Sequence, residues 1–80
     1  MTKTLVDKNL KTFGENLRKC RVKAKLSLRA LAASCNIDHS DIAKMEKGEI
    51  NITLLTLIEL SKGLDIQPKK LMDLDFDLDN

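Results

Sequence analysis

Apolar positions recur at steps of three and four through most of this 80-residue chain, the spacing that lays a stripe along one side of a helix. Leu10, Phe13, Leu17, Cys20 and Ala24 form the first stripe and predict a helix over about residues 8–24. Ser27 suits the N-cap of a short second helix, with Leu28, Leu31, Ala32 and Cys35 facing inward. Asn36 suits a left-handed turn position, and Ile37 anchors that turn. Asp38 opens a third helix, with Asp41 three residues on in the manner of a capping box. Ile42 and Met45 are its inward residues and Gly48 ends it. Thr53 caps a fourth helix whose predicted inner stripe is Leu54, Leu57, Ile58, Ser61 and Leu64, with Gly63 near its end. Pro68 fits the first turn of a fifth, short helix carrying Leu71 and Met72. The expected fold class is all-α, with five helices, short connections and no internal repeat.

The C-terminal end breaks this rhythm. Leu74, Phe76 and Leu78 alternate with Asp73, Asp75, Asp77 and Asp79, and a period of two belongs to strands. The segment is open to three readings. It is disordered, or it forms a short terminal strand paired with Thr2–Val6, where Lys3 and Lys8 offset the acids, or it contributes its apolar residues to a dimer. Pairing or a dimer contact ranks ahead of disorder. The expected organisation is a single domain over 1–80, with a helical core at 8–72 and an acidic tail at 73–80.

Composition narrows the function classes. Hydrophobic residues at 42% and charged residues at 32% describe a globular chain, and its size allows one domain with a small core. No apolar run approaches a membrane span, and the N-terminus lacks the apolar region of a signal peptide, so the expected location is the cytoplasm. The net charge of +2 is uneven. Seven bases face one acid between Lys11 and Arg29, whereas the last eight residues hold four Asp and no base.

Two cysteines and one histidine are too few soft ligands for a zinc site. Cys20 and Cys35 both fall on apolar periodic positions, where a free thiol behaves as a small hydrophobe. A lone His39 and three scattered glycines leave no catalytic constellation or phosphate loop, so no enzyme activity, metal, cofactor or small-molecule ligand is expected. Phe13 and Phe76 are the only aromatics, which disfavours binding of single strands by base stacking.

The second and third helices carry the functional signal. Two short helices joined across Asn36-Ile37-Asp38 make a helix-turn-helix, and Ala32 is small where they must cross closely. The outward face of the third helix then holds His39, Ser40, Ala43, Lys44 and Lys47. A helix of this size fits the DNA major groove, with its N-terminal residues at base edges. Arg29, early in the second helix, is the best candidate for a phosphate contact, followed by Arg18 and Lys25. Leu55, with Ile50 and Ile52, is either extra core or part of a dimer interface.

From Phe13 to Met72 the sequence resembles the Cro/phage-repressor helix-turn-helix domain, the XRE family. Phe13-Gly14-Glu15-Asn16-Leu17-Arg18-Lys19-Cys20-Arg21 is similar to its opening helix. Leu26-Ser27 and Leu31-Ala32 are similar to its second helix. Ile42 and Met45-Glu46-Lys47-Gly48-Glu49 match the end of its recognition helix, and Leu64-Asp65-Ile66 with Leu71 its closing segment. The resemblance implies a compact five-helix, lambda-repressor-like domain that binds double-stranded DNA as a homodimer. It implies that His39, Ser40 and Lys44 read bases, with Ala43 on the same outward face as a further base-contact candidate, that Lys47 and Asn51 lie near phosphate, and that Arg21 and Glu46 form a structural ion pair. Leu28 departs from the family's usual Gln after the helix-two Ser, and Ile52 from its usual Pro before the fourth helix.

The expected function is sequence-specific regulation of transcription from a pseudo-palindromic operator, with a recognition helix at about 38–47. The alternatives are an antitoxin or protein-interaction module of the same fold, or a restriction-modification controller.

Overall fold

Five helices order the chain in the computed structural model, which describes residues 3–78: α1 (Lys3–Lys23), α2 (Leu28–Ala33), α3 (His39–Glu46), α4 (Leu54–Leu64) and α5 (Pro68–Leu71). Each supplies at least one side chain to a single core. Phe13 and Leu17 come from α1, Leu31 from α2, Ile42 and Met45 from α3, Leu60 and Leu64 from α4, and Leu71 from α5. Helices of four to eight residues, such as α2, α3 and α5, are not stable alone. Their stability comes from this shared burial. Among the described residues, no buried side-chain nitrogen or oxygen lacks a hydrogen-bond partner.

Side-chain oxygens start two of the helices. Ser27 Oγ accepts from the Ala30 N–H at 3.0 Å, and Thr53 Oγ1 accepts from the Thr56 N–H at 3.2 Å. Three helices end in one backbone motif, a pair of hydrogen bonds closed around a left-handed residue. At the end of α1 the pair is Lys25 N–H to Val22 O and Leu26 N–H to Arg21 O. After α3 it is Gly48 N–H to Met45 O and Glu49 N–H to Lys44 O, and after α4 it is Asp65 N–H to Lys62 O and Ile66 N–H to Ser61 O. The left-handed residues are therefore Lys25, Gly48 and Asp65, with φ of 61°, 74° and 56°. Leu26 and Ile66, the residues that follow two of them, turn back onto the core.

Several expectations need correction. Asn36 is not left-handed. The turn after α2 stays right-handed, with Ser34 N–H bonded to Leu31 O and Cys35 N–H to Ala32 O, so no special residue is required there. The first helix begins at Lys3, which makes Lys3–Val6 helical and removes them as a strand partner; Thr2 lies outside the described residues. With no proline or glycine before Gly14, extending an established helix backwards meets no obstacle. No strand forms among the described residues, and Asp75 to Leu78 adopt no regular secondary structure. Its alternation reflects Phe76 packing inward between exposed or half-exposed acids. Asp79 lies outside the described residues.

The expected inner stripe of α4 is also partly wrong. Leu54 and Ile58 are exposed, and the buried residues are Leu60, Ser61 and Leu64, with Leu57 packed beside them. In a helix with apolar residues on two sides, spacing does not say which side faces in. Ala24 lies past the end of α1 and is exposed, as is Met72 beyond α5.

Candidate nucleic-acid interface

Three contacts with α1 fix the position of α3. The first is backbone packing at Gly14, where any Cβ would meet the carbonyl oxygens of Met45 and Glu46. The second is the turn after α3, where Gly48 lies against the Lys11 backbone and a Cβ would come within 2.7 Å of its nitrogen. The third is polar. Arg21 Nε donates to Glu46 Oε2 at 2.6 Å, its Nη2 donates to Glu46 Oε1 at 3.0 Å, and its Nη1 donates to the Leu26 carbonyl at 2.9 Å. One guanidinium thus ties together α1, the turn after it and the end of α3. Behind α3, α2 approaches α4 at Gly63, where a Cβ would lie 2.8 Å from Leu31 Cδ1 and 3.3 Å from Cys35 Cβ.

With Ile42 and Met45 turned into the core, Ser40, Ala43, Lys44 and Lys47 share the opposite side of α3, at the spacing of one helical face. Ser40, Lys44 and Lys47 are exposed and Ala43 is half-buried. His39 stands at the helix start. Asp38 is the N-cap by backbone geometry, but its side chain makes no capping hydrogen bond. Its carboxylate instead accepts from Ser40 Oγ at 3.0 Å and lies 3.3 Å from His39 Nδ1. The Ser40 hydroxyl chiefly, with help from neighbouring backbone N–H groups and His39, holds the Asp38 carboxyl below its ordinary value. The capping box with Asp41 therefore does not form, because the Asp38 carboxylate is engaged by Ser40 and His39.

A helix-turn-helix family model matches residues 17–71. The control protein C.BamHI from Bacillus amyloliquefaciens is 36% identical over 62 residues, which cover 76% of each chain. The chain belongs to this helix-turn-helix family, of the Cro/phage-repressor type. The fold resembles the crystal structure of the restriction-modification controller protein C.AhdI from Aeromonas hydrophila. That likeness has a TM-score of 0.78 and 34% identity, and it covers 80% of this chain and 97% of the other. The controller protein C.Esp1396I, solved as a tetramer with its natural 35 base-pair operator, shares the fold at a TM-score of 0.74 and 23% identity, over 80% of this chain and 84% of the other.

Within this helix-turn-helix domain, the departures at Leu28 and Ile52 have a structural account, since both pack against the core. Ile50 does too, which leaves Leu55 exposed beside Leu54 and Ile58 rather than beside Ile50 and Ile52. Arg29 is exposed at the second residue of α2, and Arg18 is exposed one turn along α1 from Gly14. Lys25 occupies the left-handed position after α1. Asn51 is exposed in the loop before α4, where its Oδ1 accepts from the Ile52 N–H at 3.0 Å. Cys20 and Cys35 are half-buried free thiols, and burial is the main cause that pushes both above the ordinary thiol value.

Sequence reasoning missed two residues. The sequence pattern points Asp38 to capping, although an acid followed two residues on by Ser also permits the side-chain pairing observed. Asn9 carries no signal in the sequence, yet it binds the tail: its Oδ1 accepts from the Asp77 N–H and its Nδ2 donates to the Asp77 carbonyl, both at 2.9 Å. Nothing local in the sequence joins residues 68 positions apart. No helix among the described residues is long and apolar enough to cross a membrane.

Proposed function

We propose that the chain is a cytoplasmic transcriptional regulator that binds double-stranded DNA as a homodimer and controls the genes of a restriction-modification system. The observation that carries this reading is the 36% identity with the control protein C.BamHI over 62 residues. It acts by binding alone, without catalysis or a cofactor. α3 enters the major groove, where Lys44 reaches guanine O6 or N7 and Ala43 meets a thymine methyl. His39 and Ser40, held by Asp38 before binding, lie at the edge of the same surface. Arg29, Lys47 and Asn51 approach phosphates on either side, with Arg18 and Lys25 further out; such contacts set register and orientation. Arg21 and Glu46 hold α3 in place and touch no DNA. The exposed apolar side of α4 (Leu54, Leu55 and Ile58) carries the two-fold contact between protomers.

Selection of bound sequences from a random double-stranded pool tests this reading. The expected result is a pseudo-palindrome with half-sites about 34 Å apart, one turn of DNA, and its recovery upstream of a restriction or methyltransferase gene. A pool without enrichment overturns it.

A further inference from the structure

The tail lies outside the residues matched by the helix-turn-helix family model, which end at 71, yet it is well held. Phe76 packs against the core and, with Leu10, Phe13, Ile52, Leu57 and Met72, lines a cleft of about 240 Å³ between α1 and the start of α4. The next residue is fixed in register. Asn9 presents one acceptor and one donor to the backbone of Asp77, as a residue on a neighbouring strand would, and Lys8 Nζ lies 3.2 Å from Asp77 Oδ2. Leu78 follows the pinned residue directly and is 73% exposed.

Leu54 and Met72 line the same cleft as Phe76, and Leu55 and Ile58 follow Leu54 along α4. In a chain with 32% charged residues, Ile50 to Ile58 contains none. Leu54, Leu55, Ile58, Met72 and Leu78 are all exposed large apolar residues. Together they offer on the order of 500 Å² of apolar surface, more than half of the roughly 800 Å² that a standard interface buries on each partner. An uncharged patch can face its own copy across a two-fold axis. The tail acids, which lie on the alternate positions, supply a polar rim.

We propose that residues 73–78 belong to the self-association surface. Pinned by Asn9 and packed on the core through Phe76, the tail extends the α4 patch with Leu78 and Met72, and a second copy of this chain covers both together. The proposal rests on the homodimer reading given above.

Sedimentation of the full chain and of Leu78→Asp, Asn9→Ala and Leu55→Asp tests it, alongside circular dichroism and DNA binding for each. Leu78 is already exposed, so Leu78→Asp leaves the monomer folded. The expected result is a dimer weakened about tenfold or more by Leu78→Asp, by Asn9→Ala and by Leu55→Asp. A dimer weakened by Leu55→Asp but not by Leu78→Asp or Asn9→Ala overturns the inference and leaves the homodimer intact. A wild-type chain that stays monomeric at every concentration overturns both. Loss of the DNA reading alone would appear as absent operator binding by a dimer that still responds to Leu78→Asp.

Discussion

Arg21 and Glu46, one on α1 and one at the last residue of α3, are joined by two parallel hydrogen bonds with only 12% and 7% of their side chains exposed. The bond to Glu46 is the main cause that raises the Arg21 guanidinium still further above its ordinary value. Removing one partner strands a charge in a low-dielectric site, which costs more than the pair contributes when intact. Glu46→Ala is expected to lower stability by about 3 kcal/mol in urea unfolding, whereas Arg21→Met with Glu46→Leu loses less. An equal loss in both would mean that the pair stabilises the fold by its attraction rather than being needed for compensation.

Two effects compete at Gly14. Alanine is the better helix former by about 1 kcal/mol, but its methyl would run into the carbonyl oxygens of Met45 and Glu46. Those are backbone atoms of the packed α3 and cannot swing aside, so the clash wins. Gly14→Ala is expected to destabilise by about 2 kcal/mol and to weaken operator binding beyond that loss, because α3 must shift. A more stable Gly14→Ala protein would refute the close crossing.

Lys44 is exposed and His39 half-exposed, so replacing them should leave unfolding unchanged. Lys44→Ala and His39→Ala are each expected to reduce affinity for the selected operator about tenfold, read by fluorescence anisotropy. Arg29→Ala should instead weaken all sequences alike and lower the slope of log affinity against log salt by about one. If Arg29→Ala altered sequence preference with an unchanged slope, its assignment to phosphate would be wrong.

Raised thiol pKa values keep Cys20 and Cys35 protonated at neutral pH, and the thiolate is the reactive form. Alkylation by iodoacetamide at about pH 7.5 is therefore expected to be slower in the folded protein than in urea, and to accelerate as pH rises through and above the ordinary thiol value. Equal rates in both states would show that neither thiol is shielded.

The helix starts after α1 were legible in the sequence because caps act over three residues, whereas α1 begins at Lys3 instead of near residue 8. Ser27, Thr53 and Pro68 each carry their own instruction, independent of anything distant. The exposed face of α3 followed as well, since Ile42 and Met45 fix the inward side of a helix of eight residues. Helix ends were less legible. Asn36 has the stronger preference for a left-handed turn, yet Lys25 and Asp65 adopt it, because burial of Leu26 and Ile66 requires the chain to reverse there.

Local pattern thus determined the five helices, the starts of all but the first, and the surface offered by α3. Tertiary structure decided which apolar side of α4 is inside, because that choice depends on where α2 and α5 lie, not on the spacing within α4. It also decided the fate of the tail. Alternation marks Phe76 and Leu78 as one side of an extended segment, but only the cleft between α1 and α4, and an Asn9 side chain 68 residues away, give that segment a place to bind. Contacts between groups so far apart in sequence leave no local pattern from which they could be read.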